Sequence, residues 1–195
     1  MNCIRAFVAV ELAVEVKAEL ARLQAVLRRK TICPAKWVAT DNTHLTLCFL
    51  GEIDLGQIEF VETVLTQTAA SFTHIRLRMT SLGAFPSITQ PRTVWVGLDG
   101  ELDNLSKLHH NLEEGLRVVG YQPENRPFRP HLTIARIPSE TSRSACQGLG
   151  EALRREEIIP LLVDVPELSL MKSTLRTTGA VHDCLCRVRL SGGLG

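Results

Sequence analysis

Two segments of the chain, His44-Leu45-Thr46-Leu47 and His131-Leu132-Thr133-Ile134, follow one pattern 87 residues apart. Each opens an apolar run of strand character, and along a strand side chains i and i+2 point to the same face. Each copy therefore presents an imidazole beside a hydroxyl. A shuffled chain with the same 6 His, 16 Thr and 54 Leu, Ile or Val would contain about 0.04 such copies, so two are not coincidence. An imidazole can be neutral or protonated near neutral pH, so a facing pair can hold opposite states, one accepting a proton while the other gives one. Hydrolysis of a phosphodiester has that need: the attacking water loses a proton as the leaving alkoxide gains one. The threonine hydroxyls suit the non-bridging phosphoryl oxygens, where charge develops. His44 and His131 are thus the candidate catalytic residues and Thr46 and Thr133 candidate phosphate ligands. The two copies are near-symmetric, and the sequence assigns neither the acid nor the base.

Other chemistries find less support. Threonine is a poor metal ligand, no H-E-x-x-H or carboxylate cluster accompanies either copy, and His109-His110 on a helix would face apart. Neither a metal nor a cofactor is expected. The chain has no G-x-S-x-G elbow, no G-x-x-x-x-G-K-[ST] loop and no G-x-G-x-x-G turn. Cys48, four residues past His44 and on its face by alternation, reads as a core thiol. His74, His109, His110 and His182 show no partner pattern and read as structural or exposed.

The elements that must position these residues follow from periodicity. Strands are expected over Ile4–Val10, Lys36–Val38, His44–Leu50 (stopped by Gly51), His74–Met79, Thr93–Leu98, His131–Ile137, Leu162–Met171 and Val181–Leu190. Helices are expected over Leu12–Arg29, Leu55–Ala70, Leu102–Val119 and Thr141–Glu157. Pro130 fixes extended backbone at Arg129 and cannot donate to a ladder, so the second motif should begin a strand at His131. The halves rhyme, and an internal duplication divided near Gly83–Pro91 is the natural reading. Mixed order with hairpins favours α+β over a doubly wound sheet. The absence of a Pro/Ser linker points to one unit, 1–195, of two closely packed lobes around a cleft.

Composition sets the frame. Apolar content of 45%, charged content of 22% and a net charge of +1 fit a globular chain that must meet an anion with local rather than global charge. The charged N-terminus does not read as a signal peptide, and no apolar stretch is long enough to span a bilayer; a cytoplasmic monomer with no membrane partner is expected. The six cysteines form no C-x-x-C pair and read as reduced thiols, with Cys184 and Cys186 on one strand face by alternation.

At these residues the chain resembles the two-histidine (2H) phosphoesterase superfamily, specifically the bacterial and archaeal RNA 2′,3′-cyclic phosphodiesterases, historically called 2′-5′ RNA ligases. The likeness extends over Arg5–Val10, Asn42–Glu52, Gly83–Pro86, Pro91–Gly97 and Arg126–Arg136, the last being highly specific. It implies a bilobal α+β fold in which two antiparallel sheets with flanking helices form a central cleft, with pseudo-two-fold internal duplication and one motif on a central strand of each sheet. It implies metal-independent hydrolysis of RNA or nucleotide 2′,3′-cyclic phosphates to 2′-phosphates, with RNA termini or small nucleotides as partners; some members join tRNA halves through 2′-5′ linkages. The family's arginine five residues after the second histidine corresponds to Arg136, implying phosphate binding. The family usually carries Glu-Ser-x-Leu and then Gly-Pro-x-Tyr near the C-terminus. Here Lys172-Ser173-Thr174-Leu175 and Gly179-Ala180-Val181-His182 alter the acidic and tyrosine positions, which bears on contacts at the cleft rim.

Phe7, Phe49 and Phe85, together with Trp37, are the aromatics best placed to stack a base, Phe85 from a Gly-x-Phe-Pro loop. Arg126 and Arg129 bracket Pro127-Phe128 just ahead of His131 and can supply local positive charge. Two alternatives stand beside cyclic-phosphate hydrolysis: action on or formation of 2′-5′ linkages, and a noncatalytic module that binds RNA ends.

Overall fold

Alternating apolar runs give nine strands and leucine stripes give four helices among the residues that the computed structural model describes, 3–123, 127–176 and 179–192. The order is β1 (Cys3–Glu11), α1 (Val14–Lys30), β2 (Lys36–Trp37), β3 (His44–Asp54), α2 (Ile58–Ala70), β4 (Ile75–Ser87), β5 (Gln90–Gly100), α3 (Leu102–Leu116), β6 (His131–Arg136), α4 (Arg143–Arg155), β7 (Leu162–Val165), β8 (Glu167–Arg176) and β9 (Gly179–Arg189). Leu105, Leu108, Leu112 and Leu116 bury one stripe of α3, and Val16, Leu20, Leu23 and Leu27 one stripe of α1, as helical spacing requires. Ser142 caps α4 by accepting from the Ala145 amide at 3.3 Å.

All strand pairs are antiparallel, in the order β7-β4-β5-β6-β3-β1-β8-β9 with β2 on β6. At the centre β3 and β6 share the single register pair Leu45–Leu132. Two antiparallel sheets, β7-β4-β5-β6 and β3-β1-β8-β9, therefore meet at this pair, and the two motif strands lie side by side. The duplication is explicit in the path: β1-α1-β3-α2 is followed by β5-α3-β6-α4. After the first unit the chain crosses over so that β4 pairs with β5; after the second it crosses back so that β8 pairs with β1. Each half lends a strand to the other. The expected division at Gly83–Pro91 falls in the β4–β5 hairpin.

One face of the sheets packs on the helices in a core that includes Val8, Val10, Leu45, Val96 and Leu132. The opposite face carries a small separate cluster, Phe7, Ala9 and Met171 with Cys184 against it. This second face bears the motifs. Among the described residues no helix is long and apolar enough to cross a membrane.

Four local expectations are corrected. Gly51 does not stop β3: it takes φ 72°, open to glycine, and the strand runs on to Asp54. The expected strand Leu162–Met171 is split by Pro166 into β7 and β8, which lie in different sheets. Phe85 sits in β4 opposite Thr93, not in a loop. A register shift beside Leu185 pairs Met171 with Cys184 but Leu170 with Cys186, so the two thiols face opposite sides, one to the cleft cluster and one to the main core. All six cysteines carry free thiols.

Candidate active site

Both motif strands begin at their histidine, and both show the same succession of burial over six residues: half-buried, buried, half-buried, buried, buried, exposed. Two consecutive buried positions break strict alternation. The cause is a bulge in each pairing, with Leu47 skipped opposite β1 and Ile134 skipped opposite β5. Past the bulge the faces exchange. Cys48, expected on the face of His44, turns into the core against Val8, while Phe49 comes to the motif face opposite Phe7. In β6, Ala135 turns inward with Val94, and Arg136 comes to the motif face in register with Thr93 and Lys36. Simple alternation would have sent Arg136 to the core side.

The bulge in β6 is held from α1. Gln24, buried, donates through Nε2 to the carbonyls of Val38 (2.7 Å) and of the skipped Ile134 (3.0 Å), and the Val38 amide also donates to Ile134 (3.0 Å). A carbonyl left out of the ladder and buried must find such a partner.

The antiparallel pair Leu45–Leu132 brings the two motifs side by side in opposite directions, and because both leucines face the core, His44, Thr46, His131 and Thr133 lie on the other face. Both rings are oriented by the carbonyl two residues upstream. His131 Nδ1 donates to the Arg129 carbonyl at 2.7 Å, which leaves Nε2 as the ring nitrogen not held by the backbone, and His44 donates to the Asn42 carbonyl. His131 meets the edge of Phe85 at 5.2 Å and Trp95 at 6.4 Å between ring centroids. Gly83, in register with Trp95, has no Cβ because one would run into the indole. His44 stacks on Phe7 at 4.6 Å and meets His182 edge-on at 5.3 Å.

The surroundings of His44 hold its pKa well below the ordinary value, at about 4. Burial is the main cause and His182 the second; the Asn42 carbonyl and Glu11 act in the opposite sense. Burial also lowers His182, against the pull of Asp183. In the resting protein His44 is unprotonated at neutral pH.

Two cavities flank the motifs. The larger, about 420 Å³, is lined by Thr46, Phe49, Phe85, Arg129 and His131, together with His109, Glu113, Tyr121 and Phe128. The smaller, about 170 Å³, lies behind His44 and His182. Of the residues expected from the sequence, Thr46, Phe49, Phe85, Arg129 and His131 thus share one cavity, while Thr133 and Arg136 share the motif face with them. Phe7 does not offer a platform to a base: it is 3% exposed and lies under His44 as its support. Trp37 packs on the core with the Arg28 guanidinium over its ring. Arg126 lies outside the described residues. His74 and His110 are exposed.

Three contributors escaped the sequence reading. Trp95 lies in the Pro91–Gly97 segment that resembles the family, yet only the register puts it against His131. His109 stacks on Phe128 at 3.9 Å, with Glu113 3.7 Å from its Nδ1. His182 reaches His44 from the last strand, and its one signal was its place at the altered tyrosine position.

A family model described as the 2′-5′ RNA ligase superfamily matches residues 34–176. The chain is 33% identical to an RNA 2′,3′-cyclic phosphodiesterase of Aeropyrum pernix, over 87% of its own length and 94% of that protein's. It is 30% identical to one of Thermotoga maritima, over 97% of both. Among solved structures, TT0787 of Thermus thermophilus superposes with a TM-score of 0.77 at 27% identity, covering 97% of this chain and 99% of that one. Escherichia coli LigT complexed with 3′-AMP gives 0.75 at 25% identity with the same coverage.

Proposed function

Because this chain belongs to the 2′-5′ RNA ligase superfamily, we propose that it opens the 2′,3′-cyclic phosphate of an RNA end or small nucleotide to a 2′-phosphate, by proton exchange between two histidines and without a metal. The observation that carries this reading is the mirrored pair, each histidine oriented by the carbonyl two residues upstream and each opening one of the two motif strands that meet at Leu45 and Leu132. Relatives of comparable length named RNA 2′,3′-cyclic phosphodiesterases support the substrate class.

A water oxygen bonds to phosphorus as the P–O3′ bond breaks, one imidazole takes the water's proton, and the other delivers a proton to O3′. His44 enters unprotonated and suits the role of base; His131 then serves as acid through Nε2, its Nδ1 proton being committed to Arg129. Thr46, Thr133 and Arg136 hold the non-bridging oxygens. The cavity beside Phe49, Phe85 and Arg129 takes the nucleoside, being of ligand size and largely apolar.

The experiment is turnover of a 2′,3′-cyclic nucleotide in chelator by the wild type, His44→Ala and His131→Ala, with the product identified as 2′- or 3′-phosphate. The expected product is the 2′-phosphate, and each variant should lose about 10²- to 10⁴-fold in kcat. Full activity in either variant, or RNA-end binding by the wild type with no product, refutes the reading.

A further inference from the structure

A third imidazole stands beside the proposed pair. His182, on β9, meets His44 edge-on at 5.3 Å and an interplanar angle of 82°, and meets Phe7, the support of His44, at 5.0 Å and 81°. It reaches this place over Ser173, its small register partner on β8. Its position is tied to that of His44 by one residue: the Asn42 side-chain amide donates to the Ala180 carbonyl at 2.8 Å, two residues before His182, and the Asn42 backbone carbonyl accepts from His44. The Nδ1 atom of His182 is buried and meets no hydrogen-bond partner among the described residues. Both rings line the smaller cavity.

The other charges here largely answer one another. Glu11 accepts from Arg187 at 2.8 Å and from Ser169 at 3.1 Å. Lys17 and Asp41 line the cavity from α1 and from the turn before β3, with Cys184 beside them on β9 and Asp183 next to His182. Beside these groups one imidazole faces another at 5.3 Å, with Glu11 acting on His44 and Asp183 on His182 in the opposite sense.

We propose that His182 is a positioning residue that acts through His44: its ring confines the His44 imidazole against Phe7, and its own protonation excludes protonation of His44. The two rings then share at most one proton through the acid range, which extends further into acid the range over which burial already keeps His44 available as a proton acceptor. This role rests on the function proposed above, but the coupling itself is measurable without turnover.

The test follows the His44 ring protons by NMR across a pH titration of the wild type, His182→Phe and His182→Gln, alongside the pH dependence of kcat/KM for a 2′,3′-cyclic nucleotide. Phenylalanine keeps the ring and the burial and removes the charge, and glutamine provides a second folded variant. The His44 midpoint is expected to rise by about half a pH unit to two units in both, the range for a unit charge 5.3 Å away between bulk water and an effective protein dielectric, and the acid limb of kcat/KM should move with it. A midpoint unchanged in both variants, or a uniform loss of activity with the limb fixed, overturns the proposal. A shifted midpoint in a protein that shows no turnover would uphold the coupling and sink the proposed function.

Discussion

Replacing His44 by asparagine should flatten the acid side of the protein's stability curve. In the folded protein His44 resists protonation until about pH 4, whereas in the unfolded chain it titrates near its ordinary value of 6.5. Between these values the unfolded state binds the proton and the native state does not, so wild-type stability falls as pH falls through this window. The gap of about 2.5 pH units corresponds to about 3 kcal/mol, fully lost below about pH 4. Near neutral pH both states are neutral at this site and the term vanishes; there the variant should be the less stable, by about 0.5–1.5 kcal/mol for the lost stack on Phe7. The two curves should therefore cross. Urea unfolding of both proteins between about pH 7 and pH 4 measures this, because titrations remote from the site cancel in the difference and only those of His44 and its neighbour His182 remain. A difference that stays constant across the range would refute the claim that burial and His182 suppress the charge on His44.

Two further perturbations probe the frame around the site. Gln24→Leu strips the Val38 carbonyl of its side-chain donor and weakens the hold on the bulge at Ile134; it should cost about 1–3 kcal/mol in urea unfolding and weaken phosphate binding through displacement of Arg136. Gly83→Ala places a methyl group in the Trp95 indole; about 1–3 kcal/mol of overpacking is expected, with a fall in kcat/KM as Phe85 and His131 are displaced.

The residues that carry chemistry were legible because they are repeated. His44, Thr46, His131 and Thr133 need only strand alternation over three positions to present imidazole and hydroxyl together, and alternation holds over that span in both copies. It fails at the fourth and fifth positions, where the bulges lie. That is why Cys48 was assigned to the wrong face, and why the place of Arg136 on the motif face, implied by the family's arginine, could not be had from alternation. A bulge is a property of two strands and a third partner, here Gln24 for β6, and none of these is local in sequence. The helices were read closely for the opposite reason: their leucine stripes are local, and α1 and α3 fall within a few residues of expectation.

By itself, then, the sequence determined the duplicated α+β framework, the two motif strands starting at their histidines, and the four side chains that share one face. Those follow from periodicity, from Pro130 and from repetition. Tertiary structure alone decided which sheet each later strand joined, since β4 and β8 cross to the opposite half, and it decided the face of every residue beyond the bulges. It also decided the difference between two histidines with nearly identical sequence surroundings. His44 lies on Phe7 beneath His182, packed by strands from both ends of the chain, and burial with a like-charge neighbour makes that imidazole hard to protonate. No sequence pattern around His44 encodes that neighbour, because it arrives from 138 residues away.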